Sequence, residues 1–142
     1  MVKNMTDYTI NTSANPAFLS IELAGIESVV GNAAIDAMAL IKASSTASRY
    51  ETLGTADAGA LMIGVAKTAC SGAGASFDAY FIPGNVTPML SDGTGTIAAG
   101  APVEPSTTVA GRVKQAASET TAVGFNVGAA VAATLNAVVT VR

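Results

Sequence analysis

Apolar positions along this chain alternate with small or polar ones in short runs, and the runs are separated by glycine, proline and aspartate. Leu135, Ala137, Val139 and Val141 form one such alternation, and Leu19, Ile21 and Leu23 form another. A period of two is the signature of a half-buried strand. On this basis strands are expected over 38–43, 49–52, 61–68, 76–82, 86–90, 101–104, 111–115, 123–127 and 135–141. Turn clusters at 71–74, 83–85 and 91–95 separate them. Within 26–44, Ile35, Met38 and Ile41 also fall at helical spacing, which leaves a short helix open. The matching segment further on carries Pro102, which a regular helix does not accommodate. Short strands every 10 to 12 residues predict an all-β fold, a small sandwich or barrel.

Two stretches, 35–82 and 97–141, follow one pattern. Ile35 matches Ile97 at an offset of 62, Arg49 matches Arg112 at 63, and Gly64 matches Gly124 at 60. The closing alternations align Ala79 with Ala137, at 58. Drifting offsets of this kind indicate short loop insertions between matched elements of a duplicated β module. Gly64 and Gly124 are expected inside strands, where the backbone bends or approaches a neighbour closely. Pro102 and Pro105 lack N–H groups, so their strand should be an edge or should end there. The domain reading is therefore an arm or first strands over 1–30, followed by a β domain over 31–142.

Composition narrows the function more than it names it. Half the residues are apolar, yet aromatics are only 5% and charged residues 12%. A thin, alanine-rich core with so little surface charge points to a chain whose surface is partly covered by partners. A net charge of −3, with seven scattered Lys and Arg, gives no footprint for nucleic acid. Residues 120–141 run for 22 positions without a charge, long enough to span a bilayer. Their strand-like alternation argues against a membrane helix.

The chain has no His and a single Cys. Ser–His and Cys–His nucleophiles are thereby excluded, as are zinc sites built from those residues. Cys70 sits among small neutral neighbours and reads as a buried hydrophobe, not an activated thiolate. The ten carboxylates are evenly spread, with no convergent pair. Gly72-Ala73-Gly74 and Gly93-Thr94-Gly95 lack the Lys and the third Gly that phosphate loops need, and read as turns. No enzyme, metal or cofactor is expected.

One resemblance carries a function. The run Gly95-Thr96-Ile97-Ala98-Ala99-Gly100-Ala101-Pro102-Val103, then Gly111-Arg112-Val113, Ala122-Val123-Gly124 and Ala137-Val138-Val139-Thr140-Val141, resembles the small Ala/Gly-rich capsid decoration (cement) proteins of tailed bacteriophages. The first copy echoes the rhythm, with Met38 in place of Gly100. The resemblance covers residues 35–142 and transfers no catalytic residue. It implies a non-enzymatic virion protein on the outer capsid surface, made in the host cytoplasm. Its expected partners are the major capsid protein and further copies of itself, a trimer being favoured. The unmatched arm is the expected contact, through Phe18, Leu19, Ile21 and Leu23. A carbohydrate-binding or adhesive head-fibre module is the alternative; it would use Tyr50, Phe77, Tyr80 and Phe81.

Overall fold

The computed structural model describes residues 25–81 and 86–142. The first module contains β1 (Ile26–Val30), β2 (Leu40–Ala43), β3 (Tyr50–Thr52), β4 (Gly64–Ala66) and β5 (Ser76–Tyr80). The second contains β6 (Thr87–Asp92), β7 (Pro102–Pro105), β8 (Val113–Gln115), β9 (Gly124–Phe125) and β10 (Leu135–Val141). Single 3-10 turns, Gly59–Leu61 and Glu119–Thr121, precede β4 and β9. There is no α-helix among the described residues, so the helical spacing of Ile35, Met38 and Ile41 is incidental. No described helix is long and apolar enough to cross a membrane, and the uncharged run ends in β10.

Each module is one five-stranded sheet rolled shut. In the first, the order is β1-β5-β4-β2-β3, and a parallel bridge from Gly31 to Tyr50 joins the two outer strands. In the second, the order is β10-β6-β8-β7-β9. There Asn126 bridges Val141, and Phe125 and Arg142 exchange both backbone hydrogen bonds, at 2.8 and 3.0 Å. Reading round each ring gives the same circuit, since β6 meets β8 in parallel through Ser91 and Val113. The chain is thus two small barrels of one topology. Closure removes the free edges that would otherwise offer pairing sites.

The duplication holds at the level of single hydrogen bonds. Ser44 N donates to Arg49 O at 2.9 Å, and Ser106 N to Arg112 O at 2.8 Å. Ile63 N donates to Ile41 O at 3.0 Å, and Val123 N to Val103 O at 2.8 Å. Left-handed backbone recurs too: Met38 (φ 64°) matches Gly100 (φ 75°), and Ser48 (φ 59°) matches Gly111 (φ 70°). Even an ion pair recurs with its signs exchanged, Lys42–Glu51 against Lys114–Glu104, both at 3.5 Å. The expected offsets of 62, 63 and 60 stand, but the 58 does not. Ala66 pairs with Ala79, and Asn126 bridges Val141, so Ala79 matches Val141 and the last offset is 62. The repeat also reaches back to Ile26, because β1 occupies the place of β6.

Several boundaries differ from the sequence reading. The strand expected over 38–43 begins at Leu40, since Met38 is left-handed. The run 61–68 starts at the end of the 3-10 turn and its strand is confined to Gly64–Ala66, so Gly64 opens β4 instead of lying inside it. Ser91 and Asp92 belong to β6, and the loop starts at Gly93. β7 has neighbours on both sides, and its prolines stand at its two ends. In β10 the pairing shifts between Leu135 and Val138. This bulge turns Leu135 outward, while Val139 and Val141 face the core.

Inside the first barrel lie Ile35, Ile41, Phe77, Ala79 and the buried Cys70. The second barrel holds the equivalents Ile97, Val103, Val139 and Val141. A large and a small residue, Phe77 and Ala79, thus stand against two of middle size, which keeps the filled volume similar. Burying each branched side chain stabilises by about 1.5–3 kcal/mol. Outside the first barrel, Leu40 and Val65 form a cross-strand row with Tyr80. With Leu53, that row packs onto the core of the second module. Gly111 locks the contact, accepting from Leu40 N at 3.0 Å and donating to Leu53 O at 2.8 Å. Arg112, buried at the seam, reaches Asp36 at 2.8 Å and Asn136 at 2.7 Å.

Candidate partner-binding surface

The second module has an apolar outer face that the first module lacks. On β9 and β10 and just after them, Phe125 is 40% exposed, Val127 51% and Val138 51%. Val138 pairs with the half-buried Leu90 of β6, and Val127 N donates to Thr140 O at 2.8 Å. Strand pairing therefore gathers these side chains into one patch across β6, β10 and β9. The face from Pro88 and Leu90 through Val138 and Thr140 to Val127 carries no charged side chain.

The first module acts as an internal control. By the repeat register, Val127 stands where the first module has Lys67, and Val138 where it has Ser76. A barrel of this topology therefore accepts polar residues at both places. The exposed valines are not demanded by the fold, and an exposed apolar patch marks an interaction surface.

The aromatic side chains expected to serve an adhesive module do not build a platform. Phe77 is interior, Tyr80 packs against the shared core, and Tyr50 contacts Phe81 at 5.5 Å between ring centroids. Phe18, Leu19, Ile21 and Leu23 lie outside the described residues. The patch on β6, β9 and β10 is not legible in the sequence, because a strand's two faces look alike in an alanine- and valine-rich run.

Several charged groups are engaged structurally. Asp92, 5% exposed, accepts from Ser106 Oγ at 2.6 Å, Thr94 Oγ1 at 2.8 Å, Thr94 N at 2.9 Å and Thr108 Oγ1 at 3.2 Å. Burial pushes its carboxyl up, but these hydrogen bonds outweigh burial and hold it below the usual range. Lys42 bonds Asp57 at 2.7 Å, which raises the amine and, with Gly54 N, lowers the carboxyl. Asn126 is fully buried and donates to the carbonyls of Ala98 and Ala129. No group of three or more potential metal ligands occurs among the described residues. These polar groups brace turns.

No protein family, curated protein or solved structure matches this chain.

Proposed function

We propose that this chain is a structural, non-enzymatic virion protein that coats the outer surface of an assembled capsid and ties neighbouring shell subunits together. The observation that carries the proposal is the uncharged face around Val127 and Val138, exposed where the sibling module has Lys67 and Ser76. The resemblance of residues 95–141 to phage decoration proteins supplies the class of partner, the major capsid protein. Apolar contact across a subunit seam stabilises the assembled state by mass action, and symmetry multiplies the effect. Closed barrels suit this task, since their edges do not recruit strands indiscriminately.

The test is co-sedimentation with assembled tailed-phage capsids stripped of decoration protein. The double variant V127K/V138S installs the sibling charge and hydroxyl. It should unfold within about 0.5 kcal/mol of the parent and lose capsid binding at least tenfold. Removing residues 1–24 tests the arm carrying Phe18, Leu19, Ile21 and Leu23, and a further loss is expected. Undiminished binding by the double variant would overturn the role of the face. The inward packing of Tyr50, Phe77 and Tyr80 speaks against the carbohydrate-binding alternative, so a glycan array is expected to show no binding.

A further inference from the structure

The two modules touch through different surfaces, and that asymmetry bears on how copies of the chain meet. The first module contributes Ala39, Leu40, Thr52, Leu53, Gly59, Val65 and Tyr80, a surface here called the head. The second contributes Pro105, Gly111 and Val123, here called the tail. Gly111 bonds Leu40 and Leu53, its α-carbon side faces Thr52 and Ala39, and Gly59 lies against Pro105 and Val123. In the repeat register the tail residues correspond to Ala43, Ser48 and Ile63 of the first module. None of these belongs to the head. A pseudo-two-fold contact would require them to be the same patch, so the docking is heterologous.

A heterologous contact used once leaves one head and one tail over. The spare head is on the second module, where Pro102, Ala116, Phe125 and Arg142 replace Leu40, Leu53, Val65 and Tyr80, and Glu119 replaces Gly59. The spare tail is on the first, where Ser48 and Ile63 replace Gly111 and Val123. We infer that the spare head of one chain docks on the spare tail of a second copy, repeating the intramolecular contact between molecules.

The substitutions fit a slightly wider version of that contact. A Cβ at Gly111 would lie 2.7 Å from Thr52 Cγ2 and 3.0 Å from Ala39 Cβ. Ser48 carries such a Cβ in the same left-handed backbone, so the second contact must stand off by a few tenths of an ångström. Pro102 has no N–H to repeat the bond that Leu40 donates, and Ala98 stands in place of Asp36, so no ion pair repeats. In compensation, the apolar residues grow: Phe125 replaces Val65 and Ile63 replaces Val123. Both are 40% exposed, and docking head on tail would cover both together. The result is a contact in which burial of Phe125 and Ile63 takes the place of the backbone hydrogen bond from Leu40. Arg142 and Glu119 bring charge that the intramolecular head lacks, so it is weaker and more reversible than the one inside the chain. Head-to-tail contacts close into rings when the rotation permits and otherwise extend.

Light scattering on purified full-length chain tests this without any capsid, so its outcome is separable from that of the shell-binding proposal. The parent should show a concentration-dependent mass at integer multiples of 14.0 kDa. Phe125→Glu spoils only the head and Ile63→Glu only the tail, so each alone should stay at 14.0 kDa. Mixed in equal amounts, they retain one sound head and one sound tail between them, and the mixture should stop at twice the chain mass. A parent that stays monomeric at millimolar concentration overturns the inference. So does a mixture that forms no dimer, or a single variant that assembles as the parent does. Circular dichroism and cooperative melting verify folding; should a glutamate variant fail, F125S and I63T take its place in the same mixing experiment.

Discussion

Replacing Gly64 or Gly124 by alanine is expected to destabilise the chain by about 3 kcal/mol or more. A Cβ at Gly64 would lie 2.5 Å from the carbonyl oxygen of Tyr80 and 2.8 Å from the Phe81 ring. At Gly124 it would lie 2.6 Å from Val141 Cγ1 and 2.8 Å from the carbonyl oxygen of Arg142. Tyr80 and Arg142 are equivalent in the repeat, so one clash is met twice. The obstructing oxygens are backbone atoms of the adjoining strand. Relief requires β4 to move off β5, or β9 off β10, and the barrel opens there. Gly72 provides the contrast, because nothing lies within 4 Å of its added Cβ. Gly72→Ala should leave stability unchanged or raise it by up to about 1 kcal/mol, through the unfolded chain. Urea unfolding of the three variants checks the order. A Gly64→Ala midpoint equal to that of Gly72→Ala would show that the close approach is not there.

Asp92→Ala is the second large effect, expected at about 2 kcal/mol. The carboxylate is buried and accepts from the hydroxyls of Ser106, Thr94 and Thr108 and from the N–H of Thr94. Its removal strands the buried Ser106 hydroxyl, and a buried donor without a partner costs about 1–3 kcal/mol, whereas the exposed Thr94 and Thr108 can turn to water. The same group makes stability depend on pH. Its folded pKa lies below the ordinary aspartate value of 3.8. The folded state therefore holds the proton less tightly than the unfolded state. The stabilisation is fully present above the unfolded value and is lost as pH falls through the folded one. Asp57 is shifted the same way by Lys42 and Gly54 N, so it adds a slope of the same sign. Urea midpoints should hold steady from pH 7 to 5 and fall below about pH 4. Asp92→Asn should start lower at pH 7 and fall less steeply on acidification. A variant with the parent's slope would remove Asp92 from the account.

How much of the fold is legible in the sequence differs by residue. The all-β class follows from alternation and from Gly, Pro and Asp punctuation, and the matches of Ile35 to Ile97, Arg49 to Arg112 and Gly64 to Gly124 all hold. Those positions are fixed by backbone needs, an interior isoleucine, a hairpin end and a close approach, which leave a trace in residue type. The alignment of Ala79 with Ala137 fails because the bulge between Leu135 and Val138 shifts the register, and a bulge without Gly or Pro leaves no mark in an alanine-rich run. Met38 misleads in the same way, since a left-handed methionine has no sequence signature.

By itself, the order of residues determined a duplicated β module, without histidine and sparing in charge. Tertiary structure alone decided that each module closes into its own barrel, because closure depends on whether Gly31 meets Tyr50 and Asn126 meets Val141 across the ring. It also decided which valines are core and which are surface. Val139 and Val138 are neighbours of one type in the chain, yet one is sealed in the barrel and the other is half exposed. The pleat assigns them to opposite faces, and only the packing of strands around them determines which face meets water.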